Sequence, residues 1–298
     1  MSPGNGPSFD LGVYQHVTLA GRGSTTVWDS STNGCDDETV DPPVLLLHGW
    51  NIDAPTNYGF AFSKLSGTGR RVVMYDQHGH GHGPRRNDPF SFSSAADDAV
   101  AVLNALDIAE AIIVGYSMGG AVGQTLVKEH RERCAGLVLS ATASYFSDSR
   151  REAAQFATMA RGARLLRRLP PKRRERVFQS ILKRATVKYP DWIAEVVQRA
   201  DPISLLEAGA SLGSFDSRGW MTSTTVPSAF VVTSKDTIVP MSRQVELATA
   251  MGVDALHSIS AGHEVPILND DNFNAALVEA VDEVSSRVRD VSAPETTH

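Results

Sequence analysis

Residues 111–122 read AIIVGYSMGGAV, and this stretch gives the clearest indication of the fold. Its first six residues, AIIVGY, have the length and apolar character of a buried strand. The residues that follow Ser117 begin a helical pattern. Gly115, Ser117 and Gly119 stand at the junction and form a G-x-S-x-G. A serine on a sharp turn from strand to helix needs small flanking residues and presents its hydroxyl as a nucleophile. The segment therefore predicts a strand, a tight turn and a helix, with Ser117 as the nucleophile.

A second G-x-S-x-G, centred on Ser211, is predicted to be a chance match. It follows the sequence DPISLLEA, which has a helical pattern, so no strand leads into this serine. A nucleophile elbow depends on a strand before the serine and a helix after it. We therefore expect Ser211 to lie in a helical region and to have no catalytic role.

Short apolar strands alternate with helical patterns around the serine turn, after an initial hairpin. A parallel sheet with helices on both faces produces this pattern, because each buried strand needs a crossover helix to reach the next strand. The chain is therefore predicted to be α/β, with a mostly parallel sheet and helices on both faces. The predicted strands are 14–19, 25–28, 43–48, 70–76, 111–116, 136–142, 228–234 and 255–260, and the predicted helices are 57–66, 93–106, 119–131, 241–251 and 271–288.

Residues 144–216 interrupt this alternation with several helical patterns and no strand pattern. We interpret them as a helical cap inserted into the α/β core. The predicted core comprises residues 9–143 and 217–290, and flexible tails are predicted at 1–8 and 291–298 because both ends are rich in polar or turn-forming residues.

A serine nucleophile needs a base and a carboxylate that orients the base. A strand that ends in SKDTIVP puts Asp236 just past its carboxyl end, and the last strand leads into AGHE, which contains His263. The carboxyl ends of parallel strands lie at one edge of the sheet, where α/β folds gather their site residues. The loop after the strand GLVLSAT offers no carboxylate. We therefore predict Asp236 as the acid and His263 as the base for Ser117.

An oxyanion hole needs two backbone N–H groups aimed at the developing charge. One should be that of Met118, the residue after the nucleophile, at a helix N-terminus where the dipole favours an anion. The other should follow the first long core strand, where the sequence reads His48-Gly49-Trp50, and we assign it to Trp50. His48 is expected to support this loop rather than to transfer protons.

The segments LLLHGW, YDQHGHGHG, VGYSMGG, SKDTIVP and AGHE together resemble the α/β-hydrolase superfamily, over residues 43–142 and 227–288. The nearest resemblance is to serine esterases, monoacylglycerol-lipase-like enzymes and cofactor-free haloperoxidase-like perhydrolases, which share HGW- and SMGG-type pieces. The resemblance implies the fold predicted above and hydrolase chemistry at Ser117. Epoxide hydrolases and haloalkane dehalogenases are similar but carry Asp at this position.

One loop departs from the form usual in these enzymes, Asp-x-Arg-Gly-x-Gly-x-Ser. Here Asp76 is followed by His78 in place of the arginine and by His82 in place of the serine, with His80 between them. Alternating histidines on an extended segment could face one side and bind zinc. The other interpretation, which we favour, is a glycine-rich loop that braces the site, with no metal.

The predicted function is hydrolysis of carboxylic esters with an apolar acyl group, through an acyl-enzyme and without a metal or organic cofactor. Three alternatives remain open: hydrolysis of a C–C bond in a diketone-type intermediate, cofactor-free perhydrolysis, and ligand binding on the same fold. The cap is expected to shape the pocket, although each wall residue could equally be core. Apart from Trp50, the predicted wall residues are Tyr116, Tyr145, Phe146, Phe156, Met159 and Trp192.

The cap has an unusual charge. Residues 148–188 contain thirteen Lys or Arg and three acidic residues, a net charge of +10 in a chain whose net charge is −6. Arg161, Arg164 and Arg168 recur at i, i+3 and i+7 and so share one helix face, with Phe156, Met159 and Leu166 on the other side. The cap could rest on the acidic core, or its charge could belong to a solvated helix face. Alternatively, the cap could meet an anionic partner, either by weak contact with a membrane surface or by binding an ester that bears a free acid.

The composition excludes several other classes of protein. The net charge of −6 argues against a general nucleic-acid binder, and no apolar run is long enough to span a membrane. Two cysteines, Cys35 and Cys134, make no disulfide framework, and the first residues lack the pattern of a signal peptide. A cytoplasmic protein is therefore expected. The sequence makes no prediction of oligomeric state.

Overall fold

The computed structural model describes residues 7, 9, 11–33, 41–185, 191–224 and 226–292. Cys35 and most of the two predicted tails lie outside these residues. Cys134 is buried at the start of a strand. None of the described helices is both long enough and apolar enough to cross a bilayer.

The core of the described structure is an eight-stranded sheet. Its strand order is β1-β2-β4-β3-β5-β6-β7-β8, and the first two strands form an antiparallel hairpin that pairs antiparallel with β4. The remaining strands are parallel, so their carboxyl ends share one edge. The strands are β1 (Tyr14–Leu19), β2 (Gly23–Asp29), β3 (Val44–Leu47), β4 (Val72–Tyr75), β5 (Ala111–Tyr116), β6 (Cys134–Ser140), β7 (Ser228–Thr233) and β8 (Ala255–Ile259).

Helices cover both faces of the sheet, as predicted. Successive strand residues point to opposite faces, so Leu45 and Leu47 belong to one apolar cluster while Val44 and Leu46 belong to the other. Helices α2, α3 and α8 pack on the first face, and α1 and α9 pack on the second. The helices are α1 (Ala54–Ser66), α2 (Phe92–Ala105), α3 (Met118–Glu129), α4 (Arg150–Arg167), α5 (Pro171–Ala185), α6 (Asp191–Gln198), α7 (Pro202–Leu212), α8 (Met241–Met251) and α9 (Asp271–Ser292).

Helix α1 begins three residues earlier than predicted. Asp53 has extended backbone geometry, and its carboxylate accepts a hydrogen bond from the Thr56 N–H at 3.0 Å. This capping bond, with Pro55 in the first turn, satisfies an N–H that the helix itself leaves unpaired. A capping side chain leaves no mark on apolar periodicity, so the helix was predicted to begin only at residue 57.

Helices α4 to α7 all lie between β6 and β7. At their base, Tyr145 forms an antiparallel bridge with Asp216, and the Ser217 N–H donates to Ser144 O at 2.8 Å. The chain thus leaves and re-enters the core at paired positions. We propose residues 144–216 as the cap on this basis.

Ion pairs join the cap to the core. Arg199, just after α6, lies 2.6 Å from the Asp53 carboxylate at the start of α1. Arg243 of α8 lies 3.0 Å from Glu152, which also completes a capping box with Ser149 at the start of α4. The hydrogen bonds from Arg243 lower the pKa of Glu152 to about 2, so this link stays charged near neutral pH. Both contacts hold cap helices against the edge of the sheet that carries Ser117.

Candidate active site

Ser117 occupies a strained turn between β5 and α3. Its φ of 53° and ψ of −114° place a non-glycine residue at positive φ. A β-carbon on Gly119 would collide with the Leu47 carbonyl of β3, and one on Gly115 would lie 2.6 Å from Gly119 O. Glycine is therefore required at both positions for the helix to start directly over the sheet. This is the nucleophile-elbow geometry that the sequence predicts.

Three predicted side chains form a continuous hydrogen-bonded chain. Ser117 Oγ lies 3.0 Å from His263 Nε2, and His263 Nδ1 lies 2.7 Å from Asp236 Oδ2. With its Nδ1–H donating to the carboxylate, His263 leaves Nε2 free to accept the serine proton. The Asp236 side chain is fully buried, whereas the His263 side chain is 20% exposed. Asp236 and Ser117 are 27 and 146 positions from His263 in the sequence, and the three residues meet at the carboxyl edge of the sheet.

Asp236 is held as an acceptor by its own loop. Its Oδ1 accepts hydrogen bonds from the Ile238 and Val239 N–H groups, both at 2.8 Å, and its Oδ2 accepts one from Thr233 Oγ1 at 2.9 Å. Burial alone would raise the pKa of Asp236, but the hydrogen bonds from His263 and the backbone outweigh it and hold that pKa below its ordinary value. The carboxylate is therefore ionised near neutral pH.

Tyr116 plays a part that the sequence analysis did not predict. It was expected in the substrate pocket, but its ring is 2% exposed and packs against Phe273 of α9. Its hydroxyl donates to the His263 carbonyl at 2.7 Å, and the centroids of the Tyr116 and His263 rings lie 5.5 Å apart. Strand alternation was the available signal, since Tyr116 must share the face of Val114 and so point away from the serine side.

Substitution of Tyr116 by phenylalanine removes only the bond to the His263 backbone. We expect turnover number to fall about fivefold, the equivalent of one net hydrogen bond, with little change in KM or melting temperature. Steady-state kinetics on a soluble ester would measure this. Tyr145→Phe, which removes a hydroxyl bonded to Glu246 instead, is the matched control and should leave turnover number unchanged. Equal turnover numbers in the two variants would contradict the positioning of His263 by Tyr116.

The two predicted oxyanion donors belong to segments that adjoin the serine. Met118 is the first residue of α3, and its N–H has no acceptor among the described residues. The loop that carries Trp50 lies against the serine, since a β-carbon on Gly49 would be 3.5 Å from Ser117 Cβ. The Gly49 N–H itself donates to Asn57 Oδ1 at 2.8 Å, which leaves Trp50 as the next N–H along the loop.

His48 braces this loop, as expected. The Gln77 N–H donates to His48 Nε2 at 3.0 Å, and His48 Nδ1 lies 2.8 Å from Gly49 O. The ring is fully buried, and burial lowers the pKa of His48 to about 4. A neutral ring with one nitrogen donating and one accepting fits both contacts.

His78, His80 and His82, in the loop after β4, lie in different surroundings. The loop is turned, with positive φ at Gly79 and Gly81, so alternate residues do not share a side as they would on an extended segment. His78 contacts Arg86 at 3.1 Å, whereas the His80 ring packs 5.3 Å from His48. His82 lines a separate cavity. In the described part of the chain, no group of three His, Cys, Asp or Glu residues could hold a metal.

Two of the predicted pocket residues pack against α7. Met159 of α4 meets the Trp50 ring at Gly209 of α7, and Phe156 packs against Gly213 at the end of α7. The Trp50 indole donates to Leu205 O at 2.8 Å and ties the oxyanion loop to the same helix.

The other three predicted pocket residues have different surroundings, and a role for them in the pocket stays a prediction. The Tyr145 hydroxyl donates to Glu246, and its ring lies 4.4 Å from the Arg218 guanidinium, so it is a structural residue at the cap base. Phe146 packs in the core 6.0 Å from the Phe215 ring. Trp192 lines a cavity of about 290 Å³ between the cap and α1, and none of the residues lining this cavity is Ser117, His263 or Asp236. Composition marked these side chains as apolar but carried no information about which surface each one covers.

Ser211 lies within α7, and its hydroxyl donates to Phe90 O at 3.4 Å. Helix precedes it and ends one residue after it, so it has neither the strand nor the strained backbone of an elbow. The structure therefore confirms its predicted helical location.

Comparison with known proteins shows the family to which this fold belongs. A family model described as alpha/beta hydrolase fold matches residues 42–270. The chain is 24% identical over 212 residues to the AB hydrolase superfamily protein YisY of Bacillus subtilis, covering 69% of this chain and 78% of that protein. It is 30% identical over 115 residues to rhodomycin D methylesterase DauP of a Streptomyces species, which covers 38% of this chain and 37% of that protein.

Among solved structures, a thermophilic esterase from Thermogutta terrifontis superposes with a TM-score of 0.69 and 22% identity, over 92% of this chain and all of that one. This likeness concerns the fold. The family model spans the sheet strands from β3 to β8 and the three side chains at their carboxyl edge. The chain therefore belongs to the α/β-hydrolase family of enzymes.

Proposed function

We propose that the protein is a serine hydrolase of carboxylic esters with an apolar acyl group. The observation that carries this proposal is the hydrogen-bonded chain from Ser117 through His263 to Asp236, which starts at a strained elbow. A serine hydroxyl is a weak nucleophile by itself, and an adjacent base that is oriented by a carboxylate activates it. The three side chains meet this requirement without any movement of the backbone.

The proposed cycle begins when His263 Nε2 takes the proton of Ser117 as Oγ attacks the ester carbonyl. The oxyanion that forms accepts hydrogen bonds from the Met118 and Trp50 N–H groups. His263 then gives its proton to the departing alcohol oxygen, and the acyl group remains on Ser117. Water attacks the acyl-enzyme by the same steps in reverse order, which releases the acid and restores the serine.

Asp236 has two tasks in this cycle. It keeps the proton of neutral His263 on Nδ1, and its negative charge stabilises the imidazolium that forms when Nε2 takes up the serine proton. Its pKa lies below the ordinary value, so it is charged at the pH where the base must be neutral. Ser117, His263, the departing alcohol and one water molecule account for every proton transfer in the cycle, while Asp236 stays ionised.

The preference for an apolar acyl group rests on the inner side of the cap. The Trp50 ring and the Met159 thioether meet beside the loop that carries one proposed oxyanion donor, and Phe156 lies further along the same helix. A fully buried methylene group contributes about 0.8 kcal/mol, or about fourfold in kcat/KM if the transition state keeps the contact. Longer acyl chains should therefore react faster until these side chains are covered.

A panel of p-nitrophenyl esters of increasing acyl length tests the proposal. We expect kcat/KM to rise from acetate by about fourfold per methylene and then to level off. A dienoate-type diketone and a peracid assay with acetate and hydrogen peroxide run beside it, because C–C hydrolysis and perhydrolysis would use the same three side chains. Turnover of the diketone with inert esters would replace the proposal by C–C hydrolysis, and tight ester binding without turnover would indicate a ligand-binding protein.

A further inference from the structure

Helix α4 presents two different faces. Phe156, Met159, Ala163 and Leu166 recur at helical spacing and point toward α7, where Ala163 and Leu166 are buried beside Ile203. Arg161, Arg164, Leu165 and Arg168 lie on the opposite side and are exposed to solvent. We call these last four residues the basic face of α4.

The basic face carries charge that the fold leaves uncompensated. Seven Lys or Arg and no acidic residue occur between Glu152 and Glu175. Arg167, which lies beside the basic face, pairs with Glu207 of α7 at 2.8 Å. No carboxylate in the described part of the chain lies within ion-pair distance of Arg161, Arg164 or Arg168. The earlier possibility that the cap charge rests on the acidic core therefore applies to Arg167 but not to these three residues.

The face also exposes aliphatic surface among its cations. Leu165 is 61% exposed and lies between Arg161 and Arg168 on the helix surface. Helix α5 follows after three residues, and there Lys172, Arg173 and Arg176 are exposed, as is Ile181 at 56%. Cations combined with exposed aliphatic side chains on one helix are typical of helices that lie at a membrane surface.

We propose that the basic face of α4 docks on an anionic phospholipid surface. Charge complementarity favours an anionic partner, and the exposed Leu165 favours lipid, because the acyl region just below the phospholipid headgroups buries an aliphatic side chain more completely than the phosphate backbone of a nucleic acid does. The chain outside residues 148–188 carries a net charge of −16, which opposes contact with an extended polyanion on its other sides. Each near-surface cation strengthens binding to an anionic bilayer by about fivefold, so a few of them suffice for reversible docking.

Docking at this face brings a lipid surface close to the candidate active site. The inner side of α4 meets the Trp50 ring at Gly209, so one helix, about 10–12 Å across, separates the basic face from the side chain of a proposed oxyanion residue. This relation to catalysis rests on the proposed ester hydrolysis, whereas the docking itself does not. An ester with an apolar acyl chain would partition into the same surface.

Vesicle sedimentation of the full chain tests the docking. We expect binding to vesicles of phosphatidylcholine with about 30 mol% phosphatidylserine at low salt, loss of that binding at high salt, and little binding to phosphatidylcholine alone. The triple variant Arg161→Gln, Arg164→Gln, Arg168→Gln should bind about 100-fold more weakly. Leu165→Gln should weaken binding about fivefold through the lost apolar contact.

A matched variant controls for net charge. Lys64→Gln, Lys128→Gln, Arg287→Gln removes three exposed cations from the core and should leave vesicle binding unchanged. An equal loss in both triple variants, equal binding to the two kinds of vesicle, or no binding to either would overturn the proposal. Binding of duplex DNA that Leu165→Gln does not weaken, without vesicle binding, would replace lipid by a nucleic acid. Ser117→Ala should keep full vesicle binding, which separates failure of docking from failure of ester hydrolysis.

Discussion

Replacement of Ser117 by alanine is expected to lower ester turnover by about 10⁴- to 10⁶-fold. The three residues act as one catalytic unit, so loss of the nucleophile removes nearly all of their contribution to the rate. The fold should remain intact. Alanine meets the same backbone strain at φ 53° as serine does, and the lost hydroxyl makes its hydrogen bond only to a partly exposed ring. Turnover of p-nitrophenyl butyrate and the thermal unfolding midpoint would measure the two effects separately.

Ser211→Ala provides the control for this experiment. It also removes a serine hydroxyl from the centre of a G-x-S-x-G, but from within a helix and from a weak 3.4 Å contact with Phe90 O. We expect wild-type turnover. An active Ser117→Ala enzyme beside an inactive Ser211→Ala enzyme would reverse the assignment of the nucleophile.

Replacement of Asp236 by asparagine is expected to lower turnover by about 10⁴-fold while preserving the fold. The amide oxygen can keep the contacts with the Ile238 and Val239 N–H groups, which turns the amide nitrogen toward His263. That nitrogen donates, so His263 Nδ1 must accept and the ring proton moves to Nε2. A protonated Nε2 faces Ser117 and has no lone pair to take up the serine proton.

Glu264→Gln is the matched control, because it neutralises the carboxylate that follows His263 directly in the sequence. Its turnover should stay near that of the wild type, since His263 Nδ1 already contacts Asp236 Oδ2 at 2.7 Å. The unfolding midpoints of both variants, measured by circular dichroism, show whether either change acts through stability. Near wild-type turnover in Asp236→Asn with a large loss in Glu264→Gln would transfer the orienting role to Glu264.

The arrangement of Ser117, Asp236 and His263 could be predicted because it follows from local patterns and one general rule. Each residue lies within four residues of the end of a strand whose apolar run is visible in the sequence, and parallel strands end at the same edge of a sheet. The residues therefore meet although they are up to 146 positions apart. The start of α1 was placed less well, because a capping carboxylate at Asp53 leaves no mark on the apolar periodicity.

The cap shows where prediction from the sequence stops. Its helices and its excess of positive charge could be inferred from periodicity and composition. The surface against which each side chain packs could not. Only the structure shows that Tyr145 contacts Glu246 at the base of the cap and that Trp192 lines a cavity beside α1. Helix packing depends on the shape and volume of partners that are distant in the chain, which a periodic pattern does not encode.

The sequence by itself therefore determined the class of fold, the order of its strands and helices along the chain, and the residues at the strand ends, because strand alternation, helical spacing and turn chemistry act over a few neighbouring residues. Only the tertiary structure decided that Tyr116 holds His263 through its carbonyl, that Trp50 is tied to α7, and that the basic face of α4 points to solvent. These features depend on contacts between segments more than a hundred residues apart or on the way the cap packs against the core. Such contacts exist only once the whole chain has packed.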